Sequence, residues 1–79
     1  MKLKVKVVEK KKEEIEITTE FIRLDSALKL CNAVESGGQA KLEIQEGYVK
    51  VNGEVCTSRG KKLHKGDNFE FDRHIYDIV

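Results

Sequence analysis

The stretch from Glu35 to Gly53, ESGGQAKLEIQEGYVKVNG, leaves the backbone few choices. Ser36 is placed to cap a helix with its hydroxyl, and Gly37 and Gly38 form a hinge where a backbone or a ligand can come close. From Gln39 the spacing predicts a helix, with Ala40 and Ile44 four apart on one face and Lys41 and Gln45 four apart on a polar face. Gly47 ends it, as glycine does just past a last helical turn. The period then changes to two: Val49 and Val51 point inward, Tyr48 and Lys50 outward. Asn52-Gly53 is a hairpin signal, because a type I′ turn needs positive φ at both central residues, and Glu54 to Cys56 should return antiparallel.

The flanking segments supply partners for this unit. Leu24, Ala27, Leu28, Cys31 and Val34 follow the spacing of a helix with one buried face, so a first helix is expected to run to about Val34. Arg23, Ser26 and Lys29 fall off that stripe. No serine or threonine stands immediately before Leu24, which leaves Thr18, Thr19 or an extra turn to cap this helix. Two short helices joined by the Ser-Gly-Gly corner must meet at a steep angle and close their apolar faces over one small core. Upstream, Lys2 to Val8 alternates lysine with apolar residues as a half-buried strand does. Glu9 to Glu14 reads as a charged connection, and Ile15 with Ile17 begins a second short strand. These two strands are expected to form a hairpin around Lys10 to Lys12. Downstream come a basic loop, Ser58 to Lys62, a Lys65-Gly66-Asp67 turn into Phe69 and Phe71, and a last strand at Ile75 to Val79.

With 79 residues there is room for one domain, of modest burial. Charged residues make up 37% of the chain against 39% hydrophobic, too apolar for a disordered tail and too interrupted for a membrane span. The alternating start, MKLKVKVV, is unlike the unbroken apolar segment of a signal peptide, so a cytoplasmic protein is expected. The net charge of +1 hides an uneven distribution. From Arg23 to Lys65 eight basic residues stand against five acidic ones, and beyond Lys65 the acids Asp67, Glu70, Asp72 and Asp77 face Arg73 alone. The folded domain is expected to show a basic face and an acidic edge.

Cys31 and Cys56 lie far apart and form no Cys-x-x-Cys pair, so in a reducing compartment they read as free thiols. With His64 and His74 they reach the number of ligands zinc needs but not the local pairing of a structural site, and no metal or cofactor is expected. Neither a nucleophile elbow nor a phosphate loop nor a clustered acid and base pair is present, so no enzyme is expected. Tyr48, outward beside a hairpin, reads as a strand residue before it reads as a base-stacking platform. Asp25 and Asp67 read as helix-start and turn residues.

The succession RLDSALKL, SGGQAK, IQEGYVKVNGEV, SRGKKL and KGD resembles the alpha-L RNA-binding motif, named after the fourth small-subunit ribosomal protein. It is most similar to small free-standing bacterial members of the YaaA and YbcJ type. The resemblance covers about residues 15–71 of a single domain, 1–79, with an added N-terminal strand at 2–8 and a C-terminal one at 75–79. It implies an α+β fold, two short helices in an L packed on a small, mostly antiparallel sheet. It also implies a non-catalytic protein that engages structured RNA, of ribosomal class, in ribosome assembly or translation quality control. Carried over, Arg23 and Lys29 fall on the first helix, and Ser36, Gly37, Gly38, Gln39 and Lys41 on the corner and second helix. Arg59, Lys61 and Lys62 fall on the basic loop. The physical sense is independent of the family: a helix start favours phosphate, glycines permit close approach, and arginine and lysine supply charge. The chain is expected to act as a monomer with no membrane partner. A protein-interaction module that turns the same basic face to an acidic partner is the alternative.

Overall fold

The computed structural model describes residues 11–79, so the strand expected over Lys2 to Val8 lies outside the described residues. The first described element is β1, Lys11–Ile15, followed by β2, Ile22–Arg23, and helix α1, Leu24–Leu30. Helix α2, Gly37–Gln45, leads into β3, Lys50–Val51, and β4, Glu54–Val55. The chain closes with β5, Lys62–Leu63, β6, Asn68–Phe71, and β7, His74–Ile78. Two helices thus pack against a mostly antiparallel sheet of order β1-β7-β6-β3-β4, with β2 and β5 forming a separate antiparallel ribbon. Among the described residues only the β1 and β7 pairing is parallel.

Lys11 and Lys12 therefore lie in a strand, where the sequence suggested a charged connection and a turn. The run carries one buried residue, Ile15, and four exposed charged ones, and among the described residues its pairing rests on backbone bonds to β7 alone, as in an edge strand. Ile17 lies past the strand, and its N–H donates to the Val79 carbonyl at 2.9 Å. The C-terminal strand in turn sits inside the sheet, between β1 and β6.

Helix α1 stops at Leu30, a turn short of Val34, because Asn32 takes a left-handed φ of 58°. The Asn32 N–H then donates to the Lys29 carbonyl and the Ala33 N–H to that of Leu28, closing the helix as a Schellman motif does. Asparagine here fills a role that glycine usually takes. Helix α2 ends the same way at Gly47, φ 83°, with Tyr48 N–H donating to the Glu43 carbonyl. Asn52 and Gly53, at φ 50° and 86°, form the type I′ turn between β3 and β4. A second turn of that kind joins β6 to β7 through Asp72 and Arg73, at φ 49° and 66°, which no glycine announces.

The core gathers Leu24, Ala27 and Leu28 from α1, Ala40 and Ile44 from α2, Val49 from just before β3, and Val51, Phe69, Tyr76 and Ile78 from the main sheet. Leu63 brings the ribbon into it, and Ile22 packs against it. Cys31 packs at its edge, where burial pushes the thiol pKa up.

Asp67 ties the hairpin tip to the turn before β6. Its carboxylate accepts from the His64 N–H at 2.7 Å and from Asn52 Nδ2 at 3.2 Å. These bonds, the His64 N–H first, hold its pKa below the usual 3.8. A carboxyl group whose folded pKa is depressed adds stability above its unfolded pKa and loses it as pH falls through the folded value. Asp67→Asn is therefore expected to cost about 1 kcal/mol at pH 7, a modest figure for a solvent-touched site. The cost should fade below pH 3.8, the ordinary value of an aspartate. Urea melts of parent and variant between pH 7 and pH 2 check this: curves that stay parallel on acidification would contradict it.

Candidate nucleic-acid interface

The basic loop is anchored by its backbone. Leu24 N–H donates to the Lys61 carbonyl at 2.9 Å, and Asp25 N–H to the Arg59 carbonyl at 3.1 Å. The loop therefore does for α1 what the sequence asked of Thr18 or Thr19, and Thr19 instead donates its hydroxyl to the Phe21 carbonyl. The N-cap residue, Arg23, makes no side-chain cap bond. Asp25 completes the helix start by accepting from the Ser26 N–H at 2.8 Å. With the loop's carbonyls turned to the helix, the side chains of Arg59, Lys61 and Lys62 remain exposed.

Arg23 belongs to β2 and not to the first helix, because it pairs across the ribbon with Lys62. Its guanidinium is bonded to Asp25 at 3.1 Å and lies against Gly60, where a Cβ would come within 3.7 Å of Nη2. The structure thus brings Arg23 to Gly60 and Lys62 of the basic loop.

Lys29, in the last turn of α1, goes to a second place. Its ammonium lies 3.9 Å from where a Cβ on Gly37 would stand, beside the first turn of α2. Both glycines are the first residues of α2, which begins two residues before the expected Gln39. They do not take positive φ, and a Cβ on Gly38 would meet only Ser36 Oγ at 3.8 Å. The corner is a helix start, and the conformational hinge expected there is absent. Ser36 caps it, its Oγ accepting from the Gln39 N–H at 3.2 Å, while Gln39 Oε1 accepts from the Glu35 N–H at 2.9 Å. That pair approximates a capping box and leaves the first-turn N–H groups of Gly37 and Gly38 without a side-chain cap. Lys41 is exposed one turn beyond Gly37.

Two residues to which the sequence assigned no place in this interface border the loop. Phe21 is half-buried with Lys62 Nζ 4.8 Å from its ring centroid, and the His64 ring lies 6.1 Å away. Alternation about the buried Leu63 was the available signal. Away from the basic loop, Glu13 and Glu14 of β1 and Glu16 just past it line a depression with Leu30, Cys31 and Tyr76. Among the described strands of the main sheet β1 and β4, which runs on toward the basic loop, stand at opposite ends, about 19 Å apart at the usual strand spacing.

A two-helix corner on this sheet, with a basic loop closing the first helix, is matched at the level of sequence: residues 15–79 correspond to the S4 domain. The chain belongs to the S4 domain family. The chain is 45% identical over 58 residues to the "Probable ribosome maturation protein RlbA" of Bacillus subtilis (strain 168), covering 73% of this chain and 82% of that one. It is 41% identical over 58 residues to the "Putative RNA-binding protein YbcJ" of Escherichia coli (strain K12), covering 73% and 83% respectively. Among the described residues of this S4 chain, no helix is long and apolar enough to cross a membrane.

Proposed function

We propose that this chain is a non-catalytic, cytoplasmic RNA-binding protein that engages structured ribosomal RNA as a monomer, in ribosome assembly or translation quality control. The observation that carries the reading is the docking of the 58–62 loop on the start of α1. It fixes the backbone of Arg59 and Lys61 and leaves the side chains of Arg59, Lys61 and Lys62 exposed, with Arg23 against Gly60 of the same loop. Rigid cations match a fixed pattern of phosphates at a lower entropic cost than mobile ones. The start of α2, with Lys29 beside it, offers a second phosphate contact of helix-terminus type. Arg23, Lys29, Ser36, Gly37, Gly38, Lys41, Arg59, Lys61 and Lys62 are the proposed contacts. Gln39 serves first as a capping residue and has only its amide nitrogen left to offer. The names carried by the Bacillus subtilis and Escherichia coli relatives support RNA and ribosome maturation as the setting.

Crosslinking in cells followed by sequencing of the recovered RNA tests this. Recovery concentrated in one region of ribosomal RNA is the expected result. An RNA-free complex with an acidic protein would overturn the reading in favour of protein interaction.

A further inference from the structure

The β2 and β5 ribbon has an outer face with no role in the fold's core. Its register pairs Ile22 with Leu63 and Arg23 with Lys62. Leu63 is fully buried and Ile22 packs on the core, so alternation turns Phe21, Arg23, Lys62 and His64 to the other side. Arg23, Lys62 and His64 are exposed, and Phe21 is half-exposed.

We infer that this ribbon face is a stacking site for one unpaired nucleobase, with Phe21 as the platform and Arg23 and Lys62 meeting the phosphates on either side of it. The inference rests on the RNA-binding reading above and names the part of the RNA that this surface takes. An apolar ring half open to solvent between two cations suits a ligand with a flat π-face and an anionic backbone. A nucleotide has both. Lys62 Nζ sits 4.8 Å over the Phe21 centroid, so the exposed part of the half-buried ring already holds a cation that a base must displace to stack there. The His64 ring, tilted 51° to Phe21, gives the base an edge contact. An incoming base takes the place of the ammonium, and the long lysine stem lets that charge move to the adjoining phosphate.

Tyr48 is more exposed but is a poorer candidate, because the depression it lines also holds Glu43 and Asp72, whose carboxylates repel phosphate. Since every base has a π-face, the site should favour unpaired over paired nucleotides without reading their identity.

The test uses two RNA hairpins that differ only by a single bulged 2-aminopurine, with the parent chain, Phe21→Leu and Phe21→Tyr. The parent is expected to bind the bulged hairpin about 10-fold more tightly than the paired one, as stacking on one aromatic ring supplies. Its binding should also quench the 2-aminopurine fluorescence. Phe21→Leu should lose both the preference and the quenching while keeping paired-hairpin affinity and salt dependence, and Phe21→Tyr should keep all four. No bulge preference and no quenching in the parent would overturn this inference alone if paired RNA is still bound with steep salt dependence. Absence of binding to either hairpin would overturn the RNA reading with it. Because the parent's quenching decides the matter by itself, a Phe21→Leu chain that melts early leaves the test intact.

Discussion

Replacing Arg59, Lys61 and Lys62 together with alanine is expected to weaken binding to a hairpin-rich ribosomal RNA fragment about 100-fold near 0.15 M salt. Each phosphate neutralised releases counterions and contributes roughly 0.7 to 0.9 to the log-log salt slope, so three contacts carry about 2 to 2.7 units. Taken from a 1 M reference, where that contribution vanishes, such a slope amounts to about two decades of affinity at 0.15 M. The fold should survive, because the bonds that hold the loop to α1 come from the carbonyls of Arg59 and Lys61 and not from their side chains. Lys62→Ala gives up the contact with Phe21, about 0.5 to 1 kcal/mol for an exposed cation over a ring. Salt titrations of the parent, the single variants and the triple variant should show each single change shallowing the slope by a little under one unit, alike for different RNA sequences. Full affinity in the triple variant would mean that this loop is not an RNA surface.

The parts of this fold set by local chemistry could be read from the sequence, and those set by pairing between distant segments could not. Ser36, Gly47 and Asn52-Gly53 each impose a backbone geometry on their own neighbours, and the cap, the helix end and the turn stand where those residues put them. The buried stripe of α1 was legible because period alone reveals it, but its end was not: Asn32 adopts left-handed φ where a glycine would have been recognised. Lys11 to Glu14 look like a solvated connection because an edge strand needs few buried side chains, and its partner β7 is about sixty residues away. The two-residue ribbon of Ile22, Arg23, Lys62 and Leu63 is too short to have a period at all. That ribbon moved Arg23 from the helix to the strand, and it also set Phe21 and His64 beside the basic loop. Composition supplied the cations of the candidate interface. Their grouping came from tertiary contacts, with Arg23 joining the loop and Lys29 joining the start of α2.

Phe69→Ala is expected to bring this domain to the edge of unfolding. Phe69 is among the largest fully buried side chains, lies on β6 between β3 and β7, and stacks on Tyr76 with ring centroids 4.8 Å apart and planes 21° from parallel. Truncating a buried phenylalanine costs about 3 to 5 kcal/mol, since the lost transfer energy is joined by a cavity that the surroundings refill only in part. At roughly 0.05 to 0.15 kcal/mol per residue, a chain of this length has about 4 to 12 kcal/mol in total. The substitution thus removes a large share of what holds the sheet, whereas Val55→Ala, at an exposed strand position, should change stability by no more than about 0.5 kcal/mol. Phe69→Leu separates the two contributions: it keeps most of the apolar volume and loses the stack with Tyr76, for an expected cost of about 1.5 kcal/mol. Urea unfolding followed by far-ultraviolet circular dichroism measures all three. A Phe69→Ala loss below about 1 kcal/mol would mean that the sheet between β3 and β7 is not the packed centre on which both helices and the ribbon depend.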